Sequence, residues 1–161
     1  MPNANESKDV PSSSPAYAGW RGELLAQLAL SRVPGLTIYQ SPSQAPFDFL
    51  ASTSDGFCFF VEAKAFSSTR QHIREIEAVS ELRWRLPSNV MEAAARSHTP
   101  VMLFLFDADT GHGRFLRLDD LPANHGGRYL TVRLPVQNTI TKENLQQRIE
   151  QMRQAHRAAH K

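Results

Sequence analysis

The stretch Phe57-Cys58-Phe59-Phe60-Val61-Glu62-Ala63-Lys64-Ala65-Phe66 is apolar on both alternating faces for its first five residues. A strand of that kind lies inside a sheet covered on both sides. Val101-Met102-Leu103-Phe104-Leu105-Phe106 has the same character and predicts a second buried strand. Just upstream of the first, Phe47-Asp48-Phe49-Leu50-Ala51 reads as a strand and Ser54-Asp55-Gly56 as its turn. A three-residue loop ending in glycine suits a type I turn followed by a left-handed residue, a conformation glycine adopts at little cost. That closure sets Thr53 opposite Phe57 and Asp48 opposite Glu62. A two-residue Asp55-Gly56 loop would slip the register by one and send Asp48 to the other face.

Working outward, Leu24, Leu25, Leu28, Ala29 and Leu30 recur at helical spacing, which predicts a helix over Trp20–Arg32 ended by Pro34-Gly35. Leu36–Tyr39 reads as a short strand. Residues 71–79 read as a short helix or an excursion. Leu82, Trp84 and Leu86 alternate with Arg83 and Arg85, the pattern of a half-exposed strand. Ser88 caps a helix that runs to about His98, and Arg114–Leu118 and Tyr129–Leu134 read as further strands. Leu145, Ile149 and Met152 mark one face of an amphipathic helix over 141–161, packed on the domain or at a dimer interface. The order of helix, antiparallel meander, helix and buried strand predicts an α/β fold, a mixed sheet flanked by helices. Residues 1–16 read as a disordered tail and 17–140 as the domain.

The chain has 161 residues, 41% apolar and 21% charged, enough for one domain with a core. No apolar run is long enough to span a bilayer, so no membrane partner is expected. The net charge of +2 permits a polyanionic partner without requiring one. Cys58 is the single cysteine, which excludes an internal disulfide and a cysteine-cluster zinc site. With no signal-peptide pattern at the start, a reducing, cytoplasmic setting is expected.

Chemistry concentrates where charge interrupts the aromatic strand. Alternation places Glu62 and Lys64 on one face, and the register adds Asp48 across from Glu62. Buried carboxylates that close repel each other, and one ammonium balances only one of them. A hard divalent ion, magnesium or manganese, supplies the missing charge and accepts oxygen ligands. Zinc fits poorly because no cysteine or suitably placed histidine accompanies the acids. Such a site suits hydrolysis of a phosphodiester, with Lys64 positioning the nucleophile or stabilising developing negative charge. An isolated Glu-x-Lys is more often a solvated strand end; Asp48 and the loop that brings it opposite raise this one above that background.

Asp48 followed after a hairpin by Glu62-Ala63-Lys64 resembles the PD-(D/E)XK, or restriction-endonuclease-like, nuclease superfamily, over about Trp20–Phe106. The likeness is greatest to small stand-alone bacterial members and to archaeal-type Holliday junction resolvases. Phe47 stands between Pro46 and Asp48, a departure at a position that is loose in the superfamily. The resemblance implies a restriction-endonuclease-like fold and a magnesium-dependent endodeoxyribonuclease that hydrolyses DNA through a metal-activated water. Asp48, Glu62 and the Ala63 carbonyl would hold Mg2+ or Mn2+, Lys64 would be the catalytic lysine, and Glu23 an auxiliary acid acting on the metal through water. A first-turn helical acid is also favoured by the macrodipole alone. The alternative is an inactive module of the same fold that binds nucleic acid or a protein.

Ser67, Ser68, Thr69, Arg70, His72 and Arg74 follow the lysine strand and are candidates for holding a DNA backbone. Arg83 and Arg85 also fit that role, though solvation is the commoner fate of such residues. The small size leaves little surface for reading sequence, so specificity is expected from a homodimer, a DNA structure or a partner protein.

Overall fold

A computed structural model describes residues 15–42, 44–121 and 126–161. Most of the tail expected at 1–16 lies outside them. Helix α1 (Pro15–Ser31) takes in its last two residues. Strands β1 (Leu36–Gln40), β2 (Phe49–Thr53) and β3 (Cys58–Phe66) follow, then a 3-10 turn at Ile76–Ala78. Next come β4 (Glu81–Pro87), α2 (Ser88–Arg96), β5 (Val101–Asp107), β6 (Gly113–Arg117), β7 (Tyr129–Pro135) and α3 (Lys142–Ala159).

Five strands form a mixed sheet in the order β1-β2-β3-β5-β6. β1, β2 and β3 are antiparallel neighbours, β3 and β5 are parallel, and β6 returns antiparallel to β5. A parallel pair needs a long crossover, and here β4 and α2 supply it. Every residue of β5 is buried, as its unbroken apolar run predicts. The two faces pack differently. On one, Ala26 and Leu30 of α1 and Leu145, Ile149 and Met152 of α3 cover Phe59, Val61, Met102 and Phe104. On the other, Val101, Leu103 and Leu105 meet Leu82 and Leu86 of β4, Val132 and Leu134 of β7, and Met91 and Ala94 of α2.

That second face departs from the expected layer of helices. β4 and β7 leave the main sheet and pair with each other as an antiparallel ribbon, Arg83 opposite Arg133 and Trp84 opposite Val132. Arg114 of β6 ties the ribbon down: wholly buried, its guanidinium donates to the carbonyls of Leu134 at 3.1 Å, Ile76 at 3.2 Å, and Val79.

α1 also differs in its buried side. Gly22, Ala26 and Leu30 face the sheet, while Trp20, Leu24 and Leu28 are exposed at 60%, 43% and 49%. Small residues let the helix approach closely, and that outweighs the leucine count. Gly113 marks a second close approach, where a Cβ would stand 2.5 Å from Phe106 Cδ1 and 2.9 Å from Ile140 Cδ1. Gly113→Ala is therefore expected to cost about 1–3 kcal/mol by overpacking, read as a lower urea midpoint. Among the described residues no helix is long and apolar enough to cross a membrane.

Candidate active site

The β2–β3 loop is the three-residue form. Thr53 N–H donates to Phe57 O at 2.8 Å, Gly56 N–H donates to Thr53 O at 3.0 Å, and Gly56 takes a φ of +87°. The register runs Phe49 opposite Val61 through Ser52 opposite Cys58; Asp48 lies one residue beyond its end, near enough to Glu62 for its charge to act on that carboxyl. Asp48 is fixed there by its backbone, donating from N–H to Val61 O at 3.0 Å and accepting from Ser41 N–H at 2.9 Å. Phe47, which stands between Pro46 and Asp48, is buried and packs on Phe60 with ring centroids 5.1 Å apart. It anchors the start of the strand and so sets the aspartate in place.

Glu62 and Lys64 point to the same face and form an ion pair of 2.5 Å, their side chains 5% and 33% exposed. Burial raises the Glu62 carboxyl above its ordinary value; Lys64 opposes the rise by hydrogen bond and charge, and Asp48 adds to it. Asp48 Oδ2 accepts the Ala63 N–H at 2.8 Å. In a strand the N–H and C=O of one residue point to the same side, so the Ala63 carbonyl also turns toward Asp48.

Glu23 joins this group through the close packing of α1 on β3. A Cβ on Gly22 would stand 3.0 Å from the Ala65 Cβ and 3.4 Å from the Lys64 carbonyl carbon. The residue after Gly22 is thus carried to the end of the strand that bears Lys64. Burial raises the Glu23 carboxyl, Asp48 raises it further, and Lys64 lowers it. All four candidate ionisable groups therefore share one field. Gly22 was missed in the sequence, although a glycine inside a helical pattern is itself a sign of close packing.

Beyond Lys64, Phe66 and Leu105 floor a cavity of about 240 Å3 walled by Ile73, Leu82 and Trp84. The Trp84 indole N–H is buried with no hydrogen-bond partner among the described residues.

The loop after β3 is more tightly held than its sequence suggests. Ser68 is buried, its N–H and Oγ donating to Asp107 at 2.9 and 2.7 Å. Ser67 Oγ donates to Asp109 at 2.6 Å, and Thr69 N–H donates to the same carboxylate at 3.0 Å. Asp107 and Asp109 thus clamp a segment some forty residues upstream. Thr69, Arg70, His72 and Arg74 are exposed, and His72 holds a left-handed φ of 54°.

Among the described residues no three or more His, Cys, Asp and Glu side chains form a group that could hold a metal ion. No family model, curated protein or solved structure matches the chain.

Proposed function

We propose that the chain is a metal-dependent nuclease of restriction-endonuclease-like architecture that hydrolyses DNA phosphodiester bonds. The observation that carries this reading is the Asp48 carboxylate held at 2.8 Å by the Ala63 N–H, between Glu62 and Lys64, with those two paired to each other at 2.5 Å. Two carboxylates, one of them buried, meet a single ammonium. The donor set is all hard oxygen and one positive charge short, which fits Mg2+ or Mn2+. Asp48, Glu62 and the Ala63 carbonyl would hold the ion. When bound it would neutralise a phosphate oxygen and make water more acidic. Lys64 would balance negative charge developing on the phosphate, and Glu23 would orient the attacking water. Thr69, Arg70, His72 and Arg74 would hold the backbone beside it, with Ser67 and Ser68 bracing their loop from within. The lone Cys58 suits a cytoplasmic setting, and a second copy or a partner protein would supply specificity.

A second reading is favoured by the ion pair itself. Lys64 already neutralises Glu62, as in a nuclease-fold module that binds nucleic acid or protein without cutting. Incubating supercoiled plasmid and branched DNA with the protein in magnesium, manganese or chelator separates the two. Nicking or linearisation that chelator stops supports the enzyme; binding without a cut in any metal supports the module.

The metal has its own readout. Glu62 with a raised carboxyl contributes most stability below the ordinary value of 4.5 and loses it as pH rises through the raised one. At neutral pH its charge is a cost, so metal-free Glu62→Gln should melt no lower than wild type. An ion at about a hundredfold excess over its Kd adds about 2.7 kcal/mol to the folded state. Wild type should therefore melt several degrees higher in Mn2+, and Glu62→Gln should not shift. Equal shifts in both proteins would remove Glu62 from the metal site.

A further inference from the structure

The outer face of the β4–β7 ribbon is built unlike an ordinary solvated surface. Leu82, Trp84 and Leu86 of β4 point inward with Leu130, Val132 and Leu134 of β7. Alternation leaves Arg83, Arg85, Tyr129, Thr131 and Arg133 outward, all of them exposed. The register sets Arg83 directly opposite Arg133 and Arg85 opposite Thr131. Like charges facing each other across a ladder destabilise it. Among the described residues the compensation is slight: Glu81 Oε1 serves both, 3.3 Å from Arg83 and 3.4 Å from Arg133. Those two arginine side chains remain 66% and 63% exposed. Arg85 lies over the Tyr129 ring, 4.6 Å from its centroid, which aims its guanidinium along the face. Three arginines against one glutamate leave this strip with +2, the same as the formal charge of the whole chain.

We infer that this face is a docking surface for duplex DNA. The inference rests on the nucleic-acid reading above and adds to it where, and in what form, the duplex is held. A strand of seven residues is about 24 Å long, and a two-stranded ribbon is one of the elements a B-form major groove, about 12 Å wide, admits. Guanidinium groups suit phosphates and guanine edges, while Thr131 and Tyr129 offer hydroxyls. A-form RNA presents a deep, narrow major groove that excludes such a ribbon. The ribbon is also placed beside the site. Trp84 packs on Phe66, ring centroids 6.4 Å apart, two residues past Lys64 on the same face of β3. Arg114 locks the ribbon to the sheet from below. A duplex seated on the strip would lie one ribbon thickness out from the face of β3 that carries Lys64. Arg133, Thr131 and Tyr129 were not readable as partners of Arg83 and Arg85, because the pairing joins segments more than forty residues apart.

The test is binding of a fluorescein-labelled blunt DNA duplex in EDTA, where nothing is cut, at several salt concentrations. The proteins are wild type, the triple variant Arg83→Ala/Arg85→Ala/Arg133→Ala, and the matching triple lysine variant. Each phosphate contact is worth about tenfold near 0.1 M salt and about one unit of salt slope. The alanine variant should bind at least about a hundredfold more weakly, with a slope about two to three units shallower. The lysine variant should keep most of the binding, and melting temperatures should stay close to wild type because the three side chains are exposed. Unchanged affinity and slope in the alanine variant would overturn the proposal, as would tighter wild-type binding to duplex RNA than to DNA. Plasmid cleavage scores the nuclease separately. Weakened duplex binding with no wild-type cleavage keeps the ribbon and loses the enzyme; cleavage and binding untouched by the triple alanine change do the reverse.

Discussion

If the protein is the proposed nuclease, Lys64→Ala is expected to slow plasmid cleavage in magnesium or manganese by about 10²–10³-fold, the loss typical when one preorganised charge-stabilising donor is removed from a reacting centre. Duplex affinity falls by less than about tenfold, since one phosphate contact among several is lost. Lys64 is held at 2.5 Å from a carboxylate that is 5% exposed, so its ammonium sits at a fixed point rather than sweeping the surface. Truncating it removes the hydrogen bond and the charge by which Lys64 holds the Glu62 carboxyl down, so that carboxyl moves further above its ordinary value. The variant should therefore regain part of its lost activity as pH rises. Lys64→Arg should not restore wild-type rates, because a planar guanidinium does not replace a compact ammonium at a confined point. Single-turnover cleavage over a pH series, with affinity measured in parallel, checks all three expectations. Cleavage by Lys64→Ala within a few fold of wild type would leave the lysine a structural counter-ion only.

The largest effect on stability is expected at Asp107. Its side chain is fully buried and accepts from Ser68 N–H at 2.9 Å, Ser68 Oγ at 2.7 Å, Thr110 Oγ1 at 2.7 Å and Asp109 N–H at 3.2 Å. Burial raises this carboxyl, but the hydrogen bonds from Thr110, Ser68 and Asp109 outweigh it and hold it below the ordinary 3.8. Asp107→Ala strands four donors at the junction of β5 with the loop after β3, at a cost of about 3–5 kcal/mol. Because the folded carboxyl is depressed, its contribution is complete above 3.8 and is lost as pH falls through the folded value. Wild type should lose stability over that acid range, and the variant should lose less. Urea titrations from neutral pH downward give both quantities. The same variant releases Ser68 and with it the segment 67–74, so its cleavage should fall while Glu62 and Lys64 stay paired.

The sequence exposes what is local. The hairpin register follows from a three-residue loop ending in glycine, and it brings Asp48 alongside Glu62-Ala63-Lys64. Element positions along the chain follow from alternation, and α2 ends only two residues before its expected limit, but Ser88 is its first residue rather than its cap and gives its hydroxyl to the Gly127 carbonyl instead. What the sequence hides is contact between distant segments. Nothing near Leu82 names Leu134 as its partner, and nothing near Ser68 names Asp107. The orientation of α1 was hidden for another reason: its leucines suggest one buried face, yet Gly22 and Ala26 take the contact because the backbone there lies against β3. Glu23 is therefore brought near the strand acids by an absent side chain, which a search for apolar periodicity passes over.

The pairing of β4 with β7 also orders events during synthesis. β4 is complete at residue 87, but its partner begins at Tyr129. Until that segment has left the ribosome, Leu82, Trp84 and Leu86 have no ladder to join, and long-range pairing of this kind is slow to form. The helix–meander unit through β3 can assemble early from neighbouring residues. Closing the ribbon then becomes the late step, and a nascent chain arrested before β7 would present an unpaired apolar strand to chaperones.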